Sequence, residues 1–407
     1  MSDRTVVLVG TLDTKGDEYA YLRDRLQRHG VNTLLVDVGT LEPPRAHPDI
    51  DRHEVAGAAG IDLDELVAAR DRGRAVSAMA TAAAAIVRRL YDEGRCHGIL
   101  AAGGSGNTAI ATSAMRALPV GVPKLMVSTV AAGDTRAYIG ATDLMLMASV
   151  TDVAGINSIS GRILANAAAA MAGMVDAPPV ELGDQRRLVA ATMFGVTTPA
   201  VTAAREALEQ RGYEVLVFHA TGTGGMAMEG LIDSDFIAGV LDLTTTELAD
   251  RLVGGVLAAG PERLEVAGRK GLPQVVSLGA LDMVNFGPRD TVPPQFESRN
   301  LYIHNPSVTL MRTTPEENAE LGRIIAEKLS GARGPVALFV PLKGVSAIDV
   351  EGGPFHDPIA DRALFDAVRD NLAENVELHE LERNINDPEF AAAMVEKLGE
   401  YLQAAPA

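Results

Sequence analysis

Two hydrophobic patterns alternate at the start of the chain. Residues 6–9 form a continuous apolar run, residues 17–29 place Tyr19, Leu22 and Leu26 at helical spacing, and residues 33–36 form a second apolar run. A strand, helix and strand of this length make the repeating unit of a parallel sheet. Because both strands are apolar throughout, we expect helices on both faces of the sheet. The pattern predicts an α/β protein with a doubly wound, Rossmann-like sheet.

The same alternation continues to about residue 174. Residues 43–75 are polar and contain several prolines, so we interpret them as inserted loops around a short helix near residues 62–70. After them the pattern predicts further elements in this order: a helix at 77–91, a strand at 98–102, a helix opening at 103–108, a strand at 124–129, a loop at 131–135 and a helix at 158–174.

A proline-containing, charged stretch at residues 176–185 predicts a linker, and a new strand is expected from Leu188. We therefore expect two domains, at residues 1–180 and 186–407, each a doubly wound Rossmann-like domain with a mainly parallel sheet, and an interdomain cleft. The second domain is predicted to contain a strand at 188–194, a helix at 198–212, strands at 214–218, 274–278, 301–304 and 336–340, and a helix after Asp387.

The net charge of the chain restricts the kinds of molecule that it is expected to bind. The chain of 407 residues has a net charge of −18 at pH 7. An acidic surface repels phosphodiester backbones and anionic headgroups, so we expect neither nucleic-acid nor membrane binding. Cys96 is the single cysteine, which excludes intrachain disulfides and multi-cysteine metal sites. With no signal-like segment before the first strand, we expect a cytoplasmic protein.

The segment from Gly103 to Thr108 reads Gly-Gly-Ser-Gly-Asn-Thr and joins a predicted strand to a helix. It supplies flexible backbone, free N–H donors and two hydroxyls near a positive helix end, which is typical of a phosphate site. The segment also fits a loose dinucleotide fingerprint, but no acidic residue ends the next strand, which disfavours that interpretation. The alternative is that these glycines only form a tight turn.

A second phosphate-like loop is predicted after the first strand, in Gly-Thr-Leu-Asp-Thr-Lys-Gly-Asp at residues 10–17. It is not a Walker A motif, because Lys15 precedes Gly16. Lys15 could neutralise phosphate, and Asp13 could hold a ribose, a water or Mg²⁺. The alternative is a surface ion pair between Asp13 and Lys15. Asp37, which ends the neighbouring strand, is a further candidate for contact with a ribose.

Two more strand ends carry polar groups. Ser128, Thr129 and Asp134 follow a strand of the first domain and could complete the same rim. In the second domain, residues 218–225 read Phe-His-Ala-Thr-Gly-Thr-Gly-Gly. His219 at that strand end is a candidate acid or base, although a lone histidine is more often structural.

Other candidate catalytic residues lie later in the chain. Asp282 follows a predicted strand, Lys343 follows another, and His356 lies in a glycine- and proline-rich segment at residues 349–357 that could be a lid or an ordered surface loop. No nucleophile elbow accompanies Ser346, so serine-hydrolase chemistry is unsupported. No histidine spacing typical of a zinc site occurs either.

Taken together, these loops resemble a known family, the ATP-binding family typified by the N-terminal region of the tomato mosaic virus resistance protein. The resemblance rests on the segments at 10–18, 103–108, 218–229, 341–346, 352–358 and 385–391, which follow one another in the family's order. Plant members carry a further C-terminal barrel that this sequence does not include. The activity of that barrel is therefore not transferred here.

The resemblance implies that the first domain binds ATP, and Mg²⁺ carried by the ATP could be held at Asp13. It places this role on Thr11, Asp13, Thr14, Lys15, Gly103, Gly104, Ser105, Gly106, Asn107 and Thr108, and less directly on Asp37, Ser128, Thr129 and Asp134.

We derive two main hypotheses for the function. The first is an ATP-binding two-domain protein that acts on a small anionic metabolite in the interdomain cleft, with His219 or Asp282 as acid or base. The second is a nucleotide-sensing interaction module without turnover, and a third is an ATP-independent hydrolase or lyase. An apolar stretch at residues 143–174, interpreted as helical, could form a homo-oligomer contact or simply a buried helix.

Overall fold

The computed structural model describes residues 4–178 and 186–404. The chain divides into two compact units, Met1–Glu181 and Leu182–Ala407. Most of the predicted linker, residues 179–185, lies outside the described residues.

The amino-terminal unit is a five-stranded parallel sheet in the order β2-β1-β3-β4-β5. Its elements are β1 (Thr5–Gly10), α1 (Leu12–Arg28), β2 (Asn32–Asp37), α2 (Arg52–Gly57), α3 (Leu63–Ala68), α4 (Arg72–Asp92), β3 (Gly98–Gly103), α5 (Ser105–Arg116), β4 (Lys124–Ser128), α6 (Arg136–Ile139), β5 (Met145–Ala148) and α7 (Ser160–Asp176).

Helices cover both faces of this sheet, as the continuous apolar strands predict. One face of β1, with Val7 and Val9, packs in a core that includes Met79 of α4 and Ile110 of α5. The opposite face packs against α1 and α7 in a second core. The doubly wound α/β fold predicted for this half is confirmed.

Two predicted elements of this unit are wrong. The expected loop at residues 10–17 is largely the first turn of α1, because the Leu12 N–H is bonded to the Asp37 carboxylate and the Lys15 N–H to the Thr11 carbonyl. The apolar stretch at residues 143–174 is not one helix. Its first part forms β5, which hydrogen-bonds to β4, and only its last part belongs to α7.

The carboxy-terminal unit contains a six-stranded parallel sheet, β14-β13-β9-β8-β6-β7, and a three-stranded antiparallel sheet, β10-β12-β11. Its elements are β6 (Leu188–Met193), α8 (Thr198–Gln210), β7 (Glu214–His219), α9 (Thr223–Asp233), β8 (Gly239–Thr244), α10 (Glu247–Val253), α11 (Val266–Lys270), β9 (Gln274–Gly279), β10 (Met283–Phe286), β11 (Leu301–Asn305), β12 (Val308–Arg312), α12 (Pro315–Ser330), β13 (Val336–Pro341), α13 (Pro358–Asn371), β14 (Val376–Leu381) and α14 (Pro388–Ala404).

The second fold is again α/β with helices on both faces of its parallel sheet. Leu241 of β8 packs in a core with α8 and α14, and Leu338 of β13 packs in another with α12 and α13. The predicted strand at residues 301–304 exists as β11, but it belongs to the small antiparallel sheet and not to the parallel one.

Candidate functional site

The two phosphate-like segments of the amino-terminal unit lie at the same edge of one sheet. Strand β1 is paired in parallel with both β2 and β3, and Gly10 is opposite Asp37 in the register. The segment after β1 and the segment after β3 are therefore neighbours.

A cavity of about 830 Å³ lies at this edge. Its volume is in the usual range for a small-molecule site, roughly 300–1,000 Å³. Eight of the residues predicted to bind the nucleotide line it, and these are Thr11, Asp13, Thr14, Lys15, Gly104, Ser105, Gly106 and Asn107.

The first turn of α5 presents free backbone donors to the cavity. The first intrahelical bond of α5 runs from the Thr108 N–H to the Gly104 carbonyl, at 2.9 Å. The N–H groups of Ser105, Gly106 and Asn107 precede that bond and have no intrahelical acceptor. Ser105 is exposed, and it makes no side-chain hydrogen bond among the described residues. These donors form an anion-binding geometry at the positive end of a twelve-residue helix.

The glycines of this segment have different roles. A Cβ on Gly103 would come within 2.9 Å of the Asn107 Cβ, so Gly103 allows α5 to pack closely on β3. By contrast, a Cβ on Gly104 or Gly106 would meet nothing closer than 3.9 or 3.7 Å. The tight-turn interpretation therefore holds for Gly103, whereas Gly104 and Gly106 leave open space beside the donors.

Asn107 and Thr108 hold the helix start in place. The Asn107 amide donates to the Tyr19 hydroxyl at 2.9 Å and to the Ala102 carbonyl at 3.0 Å. The hydroxyls of Thr108 and Ser128 are 2.7 Å apart and buried, so both are used inside the protein. The remaining acceptor of Asn107, Oδ1, is buried and has no donor among the described residues.

Asp13 lies almost fully buried in the first turn of α1, with 2% of its surface exposed. Its Oδ2 accepts a hydrogen bond from the Leu41 N–H at 2.9 Å, and its Oδ1 has no donor among the described residues. Lys15 instead donates to the Val153 carbonyl, and no ion pair joins it to Asp13 in the described part of the chain. The surface ion pair considered as an alternative is therefore not found.

The less direct candidates lie outside the cavity lining. Asp37 accepts from the N–H groups of Leu12 (3.1 Å) and Gly39 (2.9 Å), and burial raises its pKa above the ordinary value. It positions the start of α1 and does not reach the cavity wall. Asp134 is exposed and pairs with Arg136 at 2.6 Å, while the hydroxyl of Thr129 lies beside Gly104.

The sequence interpretation missed one wall of the cavity. Leu66, Val67, Arg70, Arg72 and Val76 all line it, and they come from α3, α4 and the link between them. Four of these five residues fall in the polar segment at residues 43–75, which the sequence predicts to be loops around a short helix, and Val76 directly follows it. The signal available was the Asp71 N-cap of α4, whose carboxylate accepts from the Arg74 N–H at 3.0 Å.

The glycine-rich junction of the carboxy-terminal unit is occupied by the protein itself. The N–H groups of Gly222 and Gly225 both donate to Glu247 Oε1, at 2.6 and 3.1 Å. A Cβ on Gly225 would lie 2.3 Å from the other oxygen of this carboxylate. The amino terminus of α9 is thus capped by a buried side chain and leaves no room for a bound anion.

Glu247 belongs to a buried cluster around Arg263. The Arg263 Nε donates to Glu247 at 2.8 Å, and its Nη atoms donate to Asp242. Glu229 lies 3.6 Å away, and burial raises the pKa of Glu229 to about 7. Arg263 is already paired with the carboxylates of Asp242 and Glu247. Its single charge therefore cannot fully offset the cost of burying a third carboxylate, that of Glu229.

The candidate catalytic residues of this unit are not gathered in one site. His219 is exposed at the end of β7, and its ring lies 5.5 Å from that of Phe194. Two strands separate β7 from β9, which ends just before Asp282. At about 4.8 Å per strand, the ends of β7 and β9 lie roughly 14 Å apart. Lys343 and His356 are both exposed.

Asp282 is buried in a second charged cluster. Its Oδ2 accepts from the Ser346 hydroxyl at 2.8 Å, and burial together with the charge of Asp349 raises its pKa well above the ordinary value. Arg312 lies in this cluster and donates to the Phe355 carbonyl at 2.8 Å. Because Asp349 and Phe355 are both fully buried, the segment at residues 349–357 is an anchored loop and does not have the structure of a lid.

Within the described ranges, no group of three or more His, Cys, Asp or Glu side chains is arranged to hold a metal ion. None of the helices described combines the length and the apolarity needed to cross a bilayer. A metal ion held at Asp13 on the cavity wall would therefore need further ligands from a bound molecule.

These features define a two-unit α/β protein whose amino-terminal unit has an open cavity beside the start of α5. Residues 4–179 match the N-terminal domain, and residues 186–402 the C-terminal domain, of the uncharacterised protein family UPF0261. The chain belongs to this family.

Relatives extend over almost all of the chain. A UPF0261 protein of Clostridium tetani is 53% identical over 97% of this chain and 98% of its own length. A UPF0261 protein of Rhizobium meliloti is 47% identical over 96% of this chain and 98% of its own length. The ToMV resistance protein Tm-1(GCR237) of Solanum lycopersicum is 42% identical over 98% of this chain, which spans 56% of that protein. Among solved structures, that of a UDP-N-acetylglucosamine 2-epimerase from Rickettsia bellii is 10% identical over 98% of this chain and 96% of that chain. Its TM-score is 0.22, which is too low to support an argument.

Proposed function

We propose that the chain binds ATP in the cavity of the amino-terminal unit. The supporting observation is the set of N–H groups without an intrahelical acceptor on Ser105, Gly106 and Asn107, three residues that line a cavity large enough for a small-molecule ligand. The phosphates would lie against these donors, with the Lys15 ammonium nearby. This arrangement explains how a chain of net charge −18 could bind a polyanion, since the attraction is local.

The unpartnered acceptors of the cavity favour a ligand that also carries donors or a cation. Asp13 Oδ1 and Asn107 Oδ1 are buried without a donor among the described residues. A buried acceptor left without a partner costs roughly 1–3 kcal/mol, so a ribose hydroxyl or Mg²⁺ would be stabilised there. ATP with Mg²⁺ supplies both, which inorganic phosphate alone does not.

Action on a small anionic metabolite remains part of this proposal. Only one of His219 and Asp282 could act on a given bond, because their strand ends are separated by two intervening strands. Asp282 would keep its proton to a higher pH than an ordinary carboxyl and could serve as an acid. The cytoplasmic location and the homo-oligomer are likewise proposals drawn from the sequence.

A nucleotide-sensing module without turnover is the second candidate. One observation favours it: Asp282, Ser346 and Asp349 are fully buried among protein groups. Measurement of phosphate release beside thermal stabilisation separates the two. Binding at a hundredfold excess over Kd stabilises by about 2.7 kcal/mol whether or not ATP is hydrolysed. Stabilisation with phosphate release favours the enzyme, and stabilisation alone favours the module.

Calorimetric titration of the full chain with ATP and Mg²⁺ tests the proposal. Gly104→Val should weaken binding at least about tenfold, because the Gly104 backbone (φ −81°, ψ −172°) accepts valine and the added methyls fill the phosphate end. Gly57→Val, at an exposed helical glycine in the same unit, is the matched control and should bind as the native chain does. Equal affinity in the Gly104 variant would place the nucleotide elsewhere, and absence of binding by the native chain would refute the proposal.

A further inference from the structure

We infer that Arg72 is a phosphate-binding residue of this cavity, which holds a phosphate group of the ligand against the amino terminus of α5. This inference rests on the proposed binding of a nucleotide in the same cavity. It assigns the ligand's phosphate to two elements, α5 and α4, and only the first of these was suggested by the glycine-rich sequence.

The position of Arg72 brings its guanidinium to the first turn of α5. Arg72 is the first residue of α4, and its helix start is fixed by the N-cap Asp71, which bonds the Arg74 N–H at 3.0 Å. The Arg72 Nη2 atom lies 3.7 Å from the point where a Cβ on Gly106 would be. The guanidinium therefore lies next to the first turn of α5, and the absence of a side chain at Gly106 leaves it room there.

Arg72 has no ion-pair partner in the part of the chain that the structure describes, whereas other arginines of α4 do. Arg74 pairs with Glu65, and Arg89 pairs with Glu54. An exposed arginine without a partner could simply be solvated. Its place on the cavity wall, beside three backbone donors, distinguishes it from such a residue.

Two buried acceptors independently indicate that this cavity takes a ligand. Asn107 and Asp13 are 5% and 2% exposed, both line the cavity, and each has one oxygen without a donor in the described ranges. Native proteins rarely leave such atoms unsatisfied. These acceptors belong to residues of the cavity wall, close to the unbonded donors of α5, and a nucleotide carries both phosphates and hydroxyls.

The other charged groups of the cavity do not replace Arg72. Lys15 already donates to the Val153 carbonyl. Arg70 is also exposed on the cavity wall, but unlike Arg72 it has no atom within 4 Å of a Cβ on Gly106. Asp13, Glu42, Asp71 and Asp152 also line the cavity and would repel a phosphate that approached them. A guanidinium can bind two phosphate oxygens at once, which gives both affinity and orientation. Arg72 therefore directs the phosphate toward α5.

The test is calorimetric titration of the full chain with two probes, ATP with Mg²⁺ and inorganic pyrophosphate. Arg72→Ala should weaken both at least about tenfold without changing the thermal midpoint, and Arg72→Lys should restore part of the affinity. Arg74→Ala, which removes an exposed arginine two positions away, is the matched control and should change neither affinity.

The outcomes separate this inference from the proposed function. If the native chain binds ATP and Arg72→Ala binds it equally well, the inference is wrong and the proposed function stands. If the native chain binds pyrophosphate but not ATP, and Arg72→Ala loses pyrophosphate, the inference stands and ATP is the wrong ligand. If the native chain binds neither probe, both are wrong.

Discussion

Each unit contains a glycine-rich junction between a strand and a helix. In one unit the first N–H groups of the helix have no acceptor, and in the other a carboxylate of the protein accepts from them. In the amino-terminal unit, β3 leads through Gly104 into α5, whose first N–H groups face a cavity. In the carboxy-terminal unit, β7 leads into α9, whose first N–H groups are bonded to Glu247. A helix amino terminus favours negative charge in both cases. In the carboxy-terminal unit the protein supplies a negative charge through Glu247, and in the amino-terminal unit it supplies none at this position.

The difference lies in residues distant in sequence. Glu247 is 22 residues beyond Gly225, and it is buried only because Arg263 neutralises it. Without a compensating cation, a buried carboxylate at this position would be strongly destabilising. Local glycine patterns therefore indicate where an anion can be bound. Contacts with residues distant in sequence decide whether a side chain of the protein already binds there.

Substitution of one first-turn glycine in each unit should show the contrast most strongly, with Gly106 as the second residue of α5 and Gly225 as the third residue of α9. Gly225→Ala places a Cβ 2.3 Å from a buried Glu247 oxygen, so we expect a loss of about 3 kcal/mol in the free energy of unfolding. Gly106→Ala meets nothing closer than 3.7 Å, and alanine favours the helix, so stability should be unchanged or rise by up to about 1 kcal/mol. Urea denaturation followed by circular dichroism measures both. Equal effects in the two variants would contradict the difference between open and occupied junctions.

A smaller effect should appear in the pH dependence of stability. Burial raises the pKa of Glu229 from 4.5 to about 7, so between these values the folded chain holds a proton that the unfolded chain has released. Stability from this group is present below about pH 4.5 and is lost as the pH rises toward 7.

Glu229→Gln should remove this loss of stability. Between pH 5 and 7 its free energy of unfolding should therefore fall by roughly 1–2 kcal/mol less than that of the native chain. The amide oxygen can still accept from the Leu264 N–H. Glu262→Gln, which changes an exposed glutamate paired with Arg269, is the control and should leave the slope as in the native chain. An unchanged slope in the Glu229 variant would show that the burial of this cluster does not control its protonation.

The sequence predicts the elements whose signal is local. Strands β1 and β3 are continuous apolar runs, and the glycines after β3 mark the helix start that the structure contains. The sequence does not predict strand β8, because Asp242 interrupts its apolar pattern, and this aspartate is buried with Arg263 and the Thr192 hydroxyl as donors. Strand β5 was missed because its four residues give too short a pattern to distinguish a strand from a helix.

The site could be predicted only where strand ends supply it. Ser105 and Lys15 follow or lie near the ends of β3 and β1, where parallel sheets gather ligands. Arg72 and Val67 could not be found this way, because they reach the cavity from helices inserted between β2 and β3. The role of Asp37 as a backbone anchor likewise depends on contacts made 25 residues away, to Leu12.

The most direct test of the account is a titration of ATP with Mg²⁺ against Ser105→Asp and its control Ser105→Ala. An aspartate at the first position of α5 adds negative charge where the helix favours it, so the fold should be as stable as the native one or more so. The same charge should repel the phosphates, and we predict an ATP affinity at least about tenfold lower than in Ser105→Ala, which keeps the backbone donors and loses only the contribution of the hydroxyl. If Ser105→Asp binds ATP with native affinity, the open amino terminus of α5 is not where this protein holds phosphate.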